Sequence, residues 1–403
     1  MAELEQLLAQ LQTPDTQVIK NAETQLKAVL KRPDAVSLLM TVLGSSGDEF
    51  VRQIAAVVLR SRLRGHWNKH LAGNREDVKA GVLQLLGGEP VRLVRNSIAS
   101  VVAEIARLMV AAEDGAQWPE LFGVLSACHG AAIDEQRECT YILLTELGNV
   151  SSEMLMPHHE TLLAMFNASL ADANAKVRTA AMHAVSALLS YVATNAAMGE
   201  EVNDDVTAVA MRFVSLVPAL LNVAGGCLQN GDESEVCEVL EVFGTLVSTP
   251  LPLINDQLGV VIPFVLEVMK AEMFEIQTRS AAAYVLNSLC QWKPKLLGRS
   301  GFVPKIMEVI AWLLASSTGS VAGDILTTPM DDDEDDGEDG ETGQGIAQSL
   351  LDMLALNVPA AYMLEPCMAV VQGTLSNADP SPSGAAQRKA GACMLAVVCE
   401  GCQ

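Results

Sequence analysis

The segment Leu170–Leu189, LADANAKVRTAAMHAVSALL, decides the fold of this chain. Asp172 stands where a helix can begin, and Arg178 stands at the edge of an apolar pattern. Small or apolar side chains follow every three or four residues, at Val177, Ala180, Ala181, Ala184 and Leu188. This period places them on one face of an α-helix. Because most of them are small, we expect a second helix to approach that face closely.

The same pattern recurs along the chain, and an arginine marks its start each time. The six marker arginines are Arg52, Arg95, Arg137, Arg178, Arg279 and Arg388. The first four are 43, 42 and 41 residues apart. A helical unit of about 40–47 residues is the signature of HEAT or armadillo arrays, whose units bury their apolar faces by stacking. The sequence therefore predicts an all-α fold, a right-handed α-solenoid of about nine HEAT repeats. Each repeat is an antiparallel pair of helices, A then B, and the array forms a curved superhelix.

The charge is acidic and unevenly distributed. The 403 residues carry a net charge of −23. Residues 1–110 hold 14 Lys and Arg against 11 Asp and Glu, whereas residues 111–403 hold 12 against 38. This excess argues against direct binding of nucleic acid and favours a basic protein partner attracted at long range. Solubility alone is the alternative explanation of an acidic surface.

The cysteines and the apolar segments indicate an intracellular protein without a membrane span. The nine cysteines are scattered through apolar helical stretches, in no disulfide framework. The N-terminus lacks the basic and apolar regions of a signal peptide. The most apolar windows are interrupted by charged residues and prolines, so we expect no membrane insertion.

Turn residues and charge divide the chain into four parts. The predicted parts are 1–110, with repeats one to three; 111–315, with repeats four to seven and the first helix of repeat eight; 316–345, an acidic insert; and 346–403, with the rest of repeat eight and repeat nine. Repeat six is predicted to open with one helix over Val206–Leu228. The array ends without a polar capping repeat, so we expect a fragment or a short product of a longer array.

Several short motifs add a more specific resemblance. The stretch Arg52-Gln-Ile-Ala-Ala-Val-Val-Leu-Arg60, followed by Leu63 and Trp67, resembles the N-terminal signature of importin-β (karyopherin-β) nuclear transport receptors. Further similar motifs are Asn21-Ala22-Glu23, Trp118-Pro119-Glu120-Leu121, Glu400-Gly401-Cys402 and the position of the acidic insert. The tract 347–355 looks most like the importin-4 branch. The resemblance covers essentially the whole chain, but full-length members carry roughly twice as many repeats.

The resemblance implies a nuclear import receptor. In that family the B helices line the concave surface, where the GTP form of the GTPase Ran binds the first repeats and the acidic loop. Basic cargo such as histones and ribosomal proteins binds the concave face, and phenylalanine-glycine nucleoporins bind the convex face. RanGTP releases the cargo in the nucleus. The resemblance thus implies a monomeric receptor that shuttles between cytoplasm and nucleus through the nuclear pore.

The acidic insert is the first candidate site. It carries nine carboxylates in eleven residues, which cannot pack and should stay solvated. They are Asp331, Asp332, Asp333, Glu334, Asp335, Asp336, Glu338, Asp339 and Glu341. The insert is either a passive loop or a strip that attracts Ran and basic cargo, and its position in repeat eight favours binding.

Two further sets of residues are candidates. Possible Ran-binding positions in the N-terminal repeats are Glu23, Arg60, Arg64 and Trp67. The basic cluster around them, which includes Arg62, His66 and Lys69, is either a solvated helix end or a contact for an acidic GTPase surface. The six marker arginines either face a ligand or, as we prefer, form a structural ladder with Asp or Glu of a neighbouring repeat. Asp134 and Asp172 are suitable partners.

Nothing in the sequence predicts an enzyme. The pair His66 and His70 lacks further ligands for zinc, and Cys399 and Cys402 form an isolated C-x-x-C. No phosphate-binding loop and no nucleophile–base motif occurs, so we expect no metal, no cofactor and no catalysis. Two other functions stay open: a HEAT scaffold of the phosphatase or coat-adaptor type, and an acidic histone chaperone without a transport role.

Overall fold

The computed structural model describes residues 2–111, 118–197, 204–249, 251–316 and 342–401. Within these ranges the regular structure is helical, without a β-strand. The chain divides into two compact units, Met1–Tyr191 and Val192–Gln403. None of the helices within the described ranges is both long and apolar enough to cross a membrane.

The first unit consists of A–B helix pairs joined by short loops. Its described helices are α1 (Ala2–Gln10), α2 (Thr16–Val29), α3 (Ala35–Ser45), α4 (Glu49–His66), α5 (Arg75–Gly88), α6 (Arg92–Val110), α7 (Pro119–His129), α8 (Asp134–Leu155), α9 (His159–Ser169) and the part of α10 (Ala175–Ala197) up to Tyr191. Aspartates begin two of the B helices. The carboxylate of Asp15 accepts the N–H groups of Gln17 and Val18 at the start of α2, and Asp48 accepts that of Phe50 at the start of α4. Such caps satisfy backbone donors that a helix start leaves unpaired.

Helices of the same kind stack in two layers within the first unit. The A helices α1, α3, α5 and α7 pack in succession, and so do the B helices α4, α6 and α8. The core lies between the layers, and the residue seven positions after each of the four marker arginines of this unit is buried: Leu59, Val102, Leu144 and Val185. The small residues of α10 permit a close approach, since a Cβ added at Gly148 of α8 would lie 3.2 Å from the Ala187 Cβ. The predicted all-α fold of stacked helix pairs is confirmed.

The second unit repeats this arrangement with two additional helices. Its described helices are α11 (Asp204–Val214), α12 (Val217–Asn230), α13 (Glu233–Ser248), α14 (Leu258–Lys270), α15 (Ile276–Trp292), α16 (Pro294–Arg299), α17 (Val303–Ser316), α18 (Gly343–Asn357), α19 (Ala360–Leu375) and α20 (Pro382–Gly401). The B helices α13, α15, α18 and α20 pack in succession, and the A helices α12, α14, α17 and α19 do the same.

The prediction of one helix over Val206–Leu228 was wrong. The structure ends α11 at Val214 and begins α12 at Val217, with Pro218 in its first turn. Proline has no N–H to donate and clashes with the preceding turn, so it is tolerated at a helix start but not in a helix interior. Apolar periodicity alone hid this break, because apolar residues recur through both segments.

Candidate partner-binding face of the B helices

The six marker arginines share one kind of partner, the backbone just before their own B helix. Their guanidinium groups donate hydrogen bonds of 2.7–3.2 Å to carbonyl oxygens in the A–B loop or the last turn of helix A. In marker order, the acceptors are Ser46; Glu89 and Pro90; Ala131 and Ala132; Asp172 and Ala173; Met269; and Asn377 and Asp379. Each arginine therefore joins the end of helix A to the start of helix B.

Two marker arginines also bind a carboxylate of the next loop. Arg52 donates two hydrogen bonds of 2.9 Å to Glu89. Arg137 binds Asp172 at 2.9 and 3.2 Å, and its own Asp134 at 2.7 Å. The hydrogen bonds from Arg137 hold the pKa of Asp172 below its ordinary value. Arg52 and Arg137 thus each bind an acidic residue of the neighbouring repeat, which is the arrangement that the ladder prediction describes.

At Arg178, Arg279 and Arg388 the acceptors differ in kind from those that the ladder prediction named. The hydrogen bonds described for Arg178, Arg279 and Arg388 go to backbone carbonyls instead of carboxylates. Sequence reasoning missed these acceptors because every residue carries a carbonyl group, so a backbone acceptor leaves no signal in the side chains.

The exposed side of the B helices forms a groove between α4 and α6. This groove has a volume of about 490 Å³ and is lined by Gln53, Val57, Arg60, Ser61, Arg64, Leu93, Asn96, Ser97 and Ser100. Val57 and Leu93 are more than half exposed and both line this groove. The groove therefore combines two accessible apolar side chains with two arginines, a combination suited to a protein partner that carries apolar and acidic groups.

A buried carboxylate holds one of these arginines in place. Arg64 of α4 donates two hydrogen bonds to Glu104 of α6, at 2.8 and 3.2 Å, and Arg107 binds the same carboxylate. Glu104 is only 4% exposed. Burial alone would raise the pKa of Glu104, but the hydrogen bonds from Arg107 and Arg64 hold it below its ordinary value. Glu104 thus stays charged, and the ion pair links α4 to α6.

Comparable polar contacts link α6 to α8. Arg92 of α6 binds the buried carboxylate of Glu138 on α8 at 2.7 Å. The hydroxyl group of Ser100 donates to Glu146 at 2.9 Å. Together with the pair of Arg64 and Glu104, these contacts bridge successive B helices.

The structure separates the four residues proposed for the N-terminal repeats. Arg60 and Arg64 line the same groove, and Arg60 is exposed. Glu23 is exposed on α2 but does not line this groove. Trp67 is 2% exposed, and its ring lies 5.2 Å from the guanidinium group of Arg75. In this structure the Trp67 side chain is part of the core and offers a partner no surface.

The rest of the basic cluster is only partly accessible. His66 is buried, and its two ring nitrogens lie 3.1 Å and 3.3 Å from the carbonyl oxygens of Arg62 and Arg32. Lys69 is exposed. Within the described ranges, no group of three or more His, Cys, Asp or Glu residues is placed to hold a metal ion. The acidic residues Asp331 to Glu341 lie outside the described residues.

Comparisons with known proteins identify the family. The family model described as "Importin-beta N-terminal domain" matches residues 22–88, and the model described as "IPO5-like, TPR repeats" matches residues 90–264. Importin-4 of Mus musculus is 31% identical over 99% of this chain, and Importin-4 of Homo sapiens is 30% identical over 99%. The chain spans 35% of the length of each of these relatives.

Solved structures agree on the fold. The structure of Kap121p has a TM-score of 0.78 at 20% identity, covering 100% of this chain and 37% of that one. Kap121p bound to RanGTP has a TM-score of 0.74 at 20% identity, covering 100% and 36%. The two Importin-4 relatives are importins rather than enzymes, in agreement with the expectation of no catalysis. The resemblance drawn from the short motifs is confirmed, and the chain belongs to the importin-β family.

Proposed function

We propose that this chain acts in a nuclear import receptor that binds basic cargo and releases it when RanGTP binds. The observation that carries the proposal is the groove between α4 and α6, whose α4 side lies in the portion matched by the importin-β N-terminal domain model. Its arginines and exposed apolar side chains suit the acidic and apolar surface of a GTPase. Histones and ribosomal proteins are the cargo class proposed, since both are rich in Lys and Arg.

Release of cargo would be a matter of linked binding equilibria. If RanGTP and cargo exclude one another, each lowers the affinity of the other by the same factor. The B helices of the first unit are joined by ion pairs to buried carboxylates, such as Arg64 with Glu104, so a ligand that shifts one helix would also move its neighbour. The protein would then shuttle between cytoplasm and nucleus through the nuclear pore.

A second groove suits a different partner. It lies between the A helices α3 and α5, has a volume of about 820 Å³ and includes Val36, Met40, Leu43, Gly81 and Leu85 in its lining. Polar side chains such as Ser37, Asn74 and Gln84 also line it. Pockets of this size that combine apolar and polar side chains accept aromatic groups. We assign this groove to the phenylalanine-glycine repeats of nucleoporins.

Binding to Ran is the first test. We expect the chain to bind Ran loaded with GTP at least tenfold more tightly than Ran loaded with GDP, measured by calorimetry or biolayer interferometry. Arg60→Glu should weaken binding of the GTP form by about tenfold at low salt, because it reverses a charge in the α4–α6 groove. Lys69→Glu makes the same change of charge outside the groove lining and should alter the affinity less than twofold.

The outcome separates the proposal from its alternatives. Equal affinity for the two nucleotide forms, or no affinity for either, would contradict the proposal and favour the scaffold or the histone-chaperone function. Binding of histones that ignores the nucleotide state of Ran would favour the chaperone, and co-purification with a phosphatase subunit would favour the scaffold.

The acidic stretch provides a second prediction. Replacing its nine carboxylates by Asn and Gln should weaken binding of a Lys/Arg-rich peptide about tenfold at 50 mM salt and far less at 300 mM, because salt screens exposed charges. A fluorescent peptide titrated across a salt series measures this effect. A shuffled stretch of the same composition is the control and should bind like the wild type. Equal affinities of the neutralised and wild-type chains at low salt would contradict a role in attracting cargo.

A further inference from the structure

At two positions of the arginine ladder, here called carboxylate steps, a marker arginine binds a carboxylate of the next A–B loop. The arginine and the carboxylate are separated by a similar number of residues in both. Arg52 binds Glu89, 37 residues later, and Arg137 binds Asp172, 35 residues later. In both cases the acid stands six positions before the next marker arginine. Each arginine thus meets a carboxylate supplied by the next A–B loop, with two hydrogen bonds in the fork geometry that guanidinium groups favour.

The step between them lacks its carboxylate. Ala131 occupies the equivalent place, 36 residues after Arg95 and six before Arg137. Arg95 is only 6% exposed, and its Nη1 donates to the carbonyl oxygens of Glu89 and Pro90. Its Nη2 lies 4.0 Å from Glu138. Its Nε has no hydrogen-bond partner among the described residues. A buried charged donor without an acceptor is unfavourable, so this site is incomplete.

A cleft of about 350 Å³ lies at this position. Its lining includes Arg95, Glu89, Gln136, Cys128 and Cys139. Burial raises the pKa of Cys139 to about 12, so its thiol adds no negative charge. The cleft is therefore open at the step where a protein carboxylate is absent.

The acids near this cleft do not complete the site. The Glu138 carboxylate accepts a 2.7 Å hydrogen bond from Arg92, which leaves Arg95 beside an ion pair that is already formed. Glu135 also lines the cleft, but it is exposed and forms no described hydrogen bond to Arg95. Glu89 lines the cleft as well, but its carboxylate accepts hydrogen bonds from Arg52 and from the N–H of Val91. The Nε of Arg95 is therefore left without an acceptor by all three acids.

We propose that this cleft, the Arg95 cleft, binds a carboxylate group in the place that Glu89 and Asp172 occupy at the neighbouring steps. The cleft is far larger than one carboxylate, so the group can belong to a small free acid or to an Asp or Glu side chain of a partner peptide. A carboxylate bound there would join the A–B loop of repeat three to that of repeat four. At the neighbouring steps, Glu89 and Asp172 make the corresponding connection.

The test follows the Nε–Hε signal of Arg95 by nuclear magnetic resonance in the full chain labelled with ¹⁵N-arginine. Arg95→Lys identifies the signal. Acetate and a blocked tetrapeptide of glutamate are titrated separately, against sodium chloride at matched ionic strength. A saturable shift with either acid supports the proposal. Saturation at tenfold lower concentration with the peptide assigns the carboxylate to a partner side chain, and similar saturation assigns it to a small acid. No shift with either acid beyond the chloride control overturns the proposal.

A variant with an internal carboxylate gives an independent measurement. Ala131→Asp should shift the Arg95 signal without added acid, remove its response to acetate and raise the midpoint of thermal unfolding by about 2 °C. Ala132→Asp adds the same charge one position away and should keep the wild-type response. An Ala131→Asp chain that folds, leaves the Arg95 signal in place and still responds to acetate would show that the carboxylate binds elsewhere.

Discussion

Replacing Trp67 with alanine is expected to lower the free energy of unfolding by about 3–5 kcal/mol. The side chain is 2% exposed at the C-terminal end of α4, beside the guanidinium group of Arg75. Removing a buried indole leaves a cavity that the stacked helices can fill only in part, and the neighbouring atoms lose their contacts. Urea denaturation followed by circular dichroism measures the change.

Trp292 offers a matched control. It also lies at the C-terminal end of a B helix, α15, but is 58% exposed. We expect Trp292→Ala to change the free energy of unfolding by about 0.5 kcal/mol or less. If the two substitutions have equal and small effects, Trp67 does not lie in the core, and its role as a partner contact would have to be reconsidered.

Removing both arginines that pair with Glu104 is the second substitution with a large expected effect. The double variant Arg64→Met and Arg107→Met should lower the free energy of unfolding by about 2–3 kcal/mol at neutral pH. This value is at the lower end for a broken buried ion pair because both arginines are partly exposed. The cost arises because the carboxylate, 4% exposed, is left without a cation. Glu104→Gln removes the charge together with its need for a partner and should cost only about 1 kcal/mol.

The dependence on pH distinguishes this explanation from a loss of packing. In the wild type, the pKa of Glu104 is held below its ordinary value near 4.5, so its contribution is present above that pH and is lost as the pH falls through the folded-state pKa. In the double variant burial acts alone and raises the pKa of this carboxyl group. Lowering the pH then protonates the group and removes the cost of its unpaired charge. The difference in stability between the two proteins should therefore shrink between pH 6 and pH 3. A difference that is independent of pH would attribute the loss to the arginine side chains instead.

The repeat architecture could be predicted because its signal is periodic. Arginines 43, 42 and 41 residues apart, each followed by apolar residues at helical spacing, indicate stacked helix pairs before any contact is known. Their partners were only partly predictable. Asp172 could be named because a carboxylate is the obvious partner of a guanidinium group, whereas the carbonyl oxygens of residues such as Asp172 and Ala173 could not.

Exposure was the least predictable property of the candidate site. Arg60, Arg64 and Trp67 occur within eight residues of one amphipathic helix and its end, so all three were candidates for the same surface. The structure leaves Arg60 exposed, pairs Arg64 with Glu104 and buries Trp67. Which side of a helix end is covered depends on the segment that packs there, and Arg75 belongs to the next helix pair.

By itself, the sequence determined the class of fold, the length of the repeat, the uneven charge and the family, because these properties depend on composition and on periodicity within single helices. Only the tertiary structure decided which arginine meets a carboxylate, which tryptophan is buried and where a groove or an incomplete ladder step opens. Those features depend on distances between helices about forty residues apart in the chain, as in Arg64 with Glu104. They arise when one repeat stacks on the next, and no single repeat contains them.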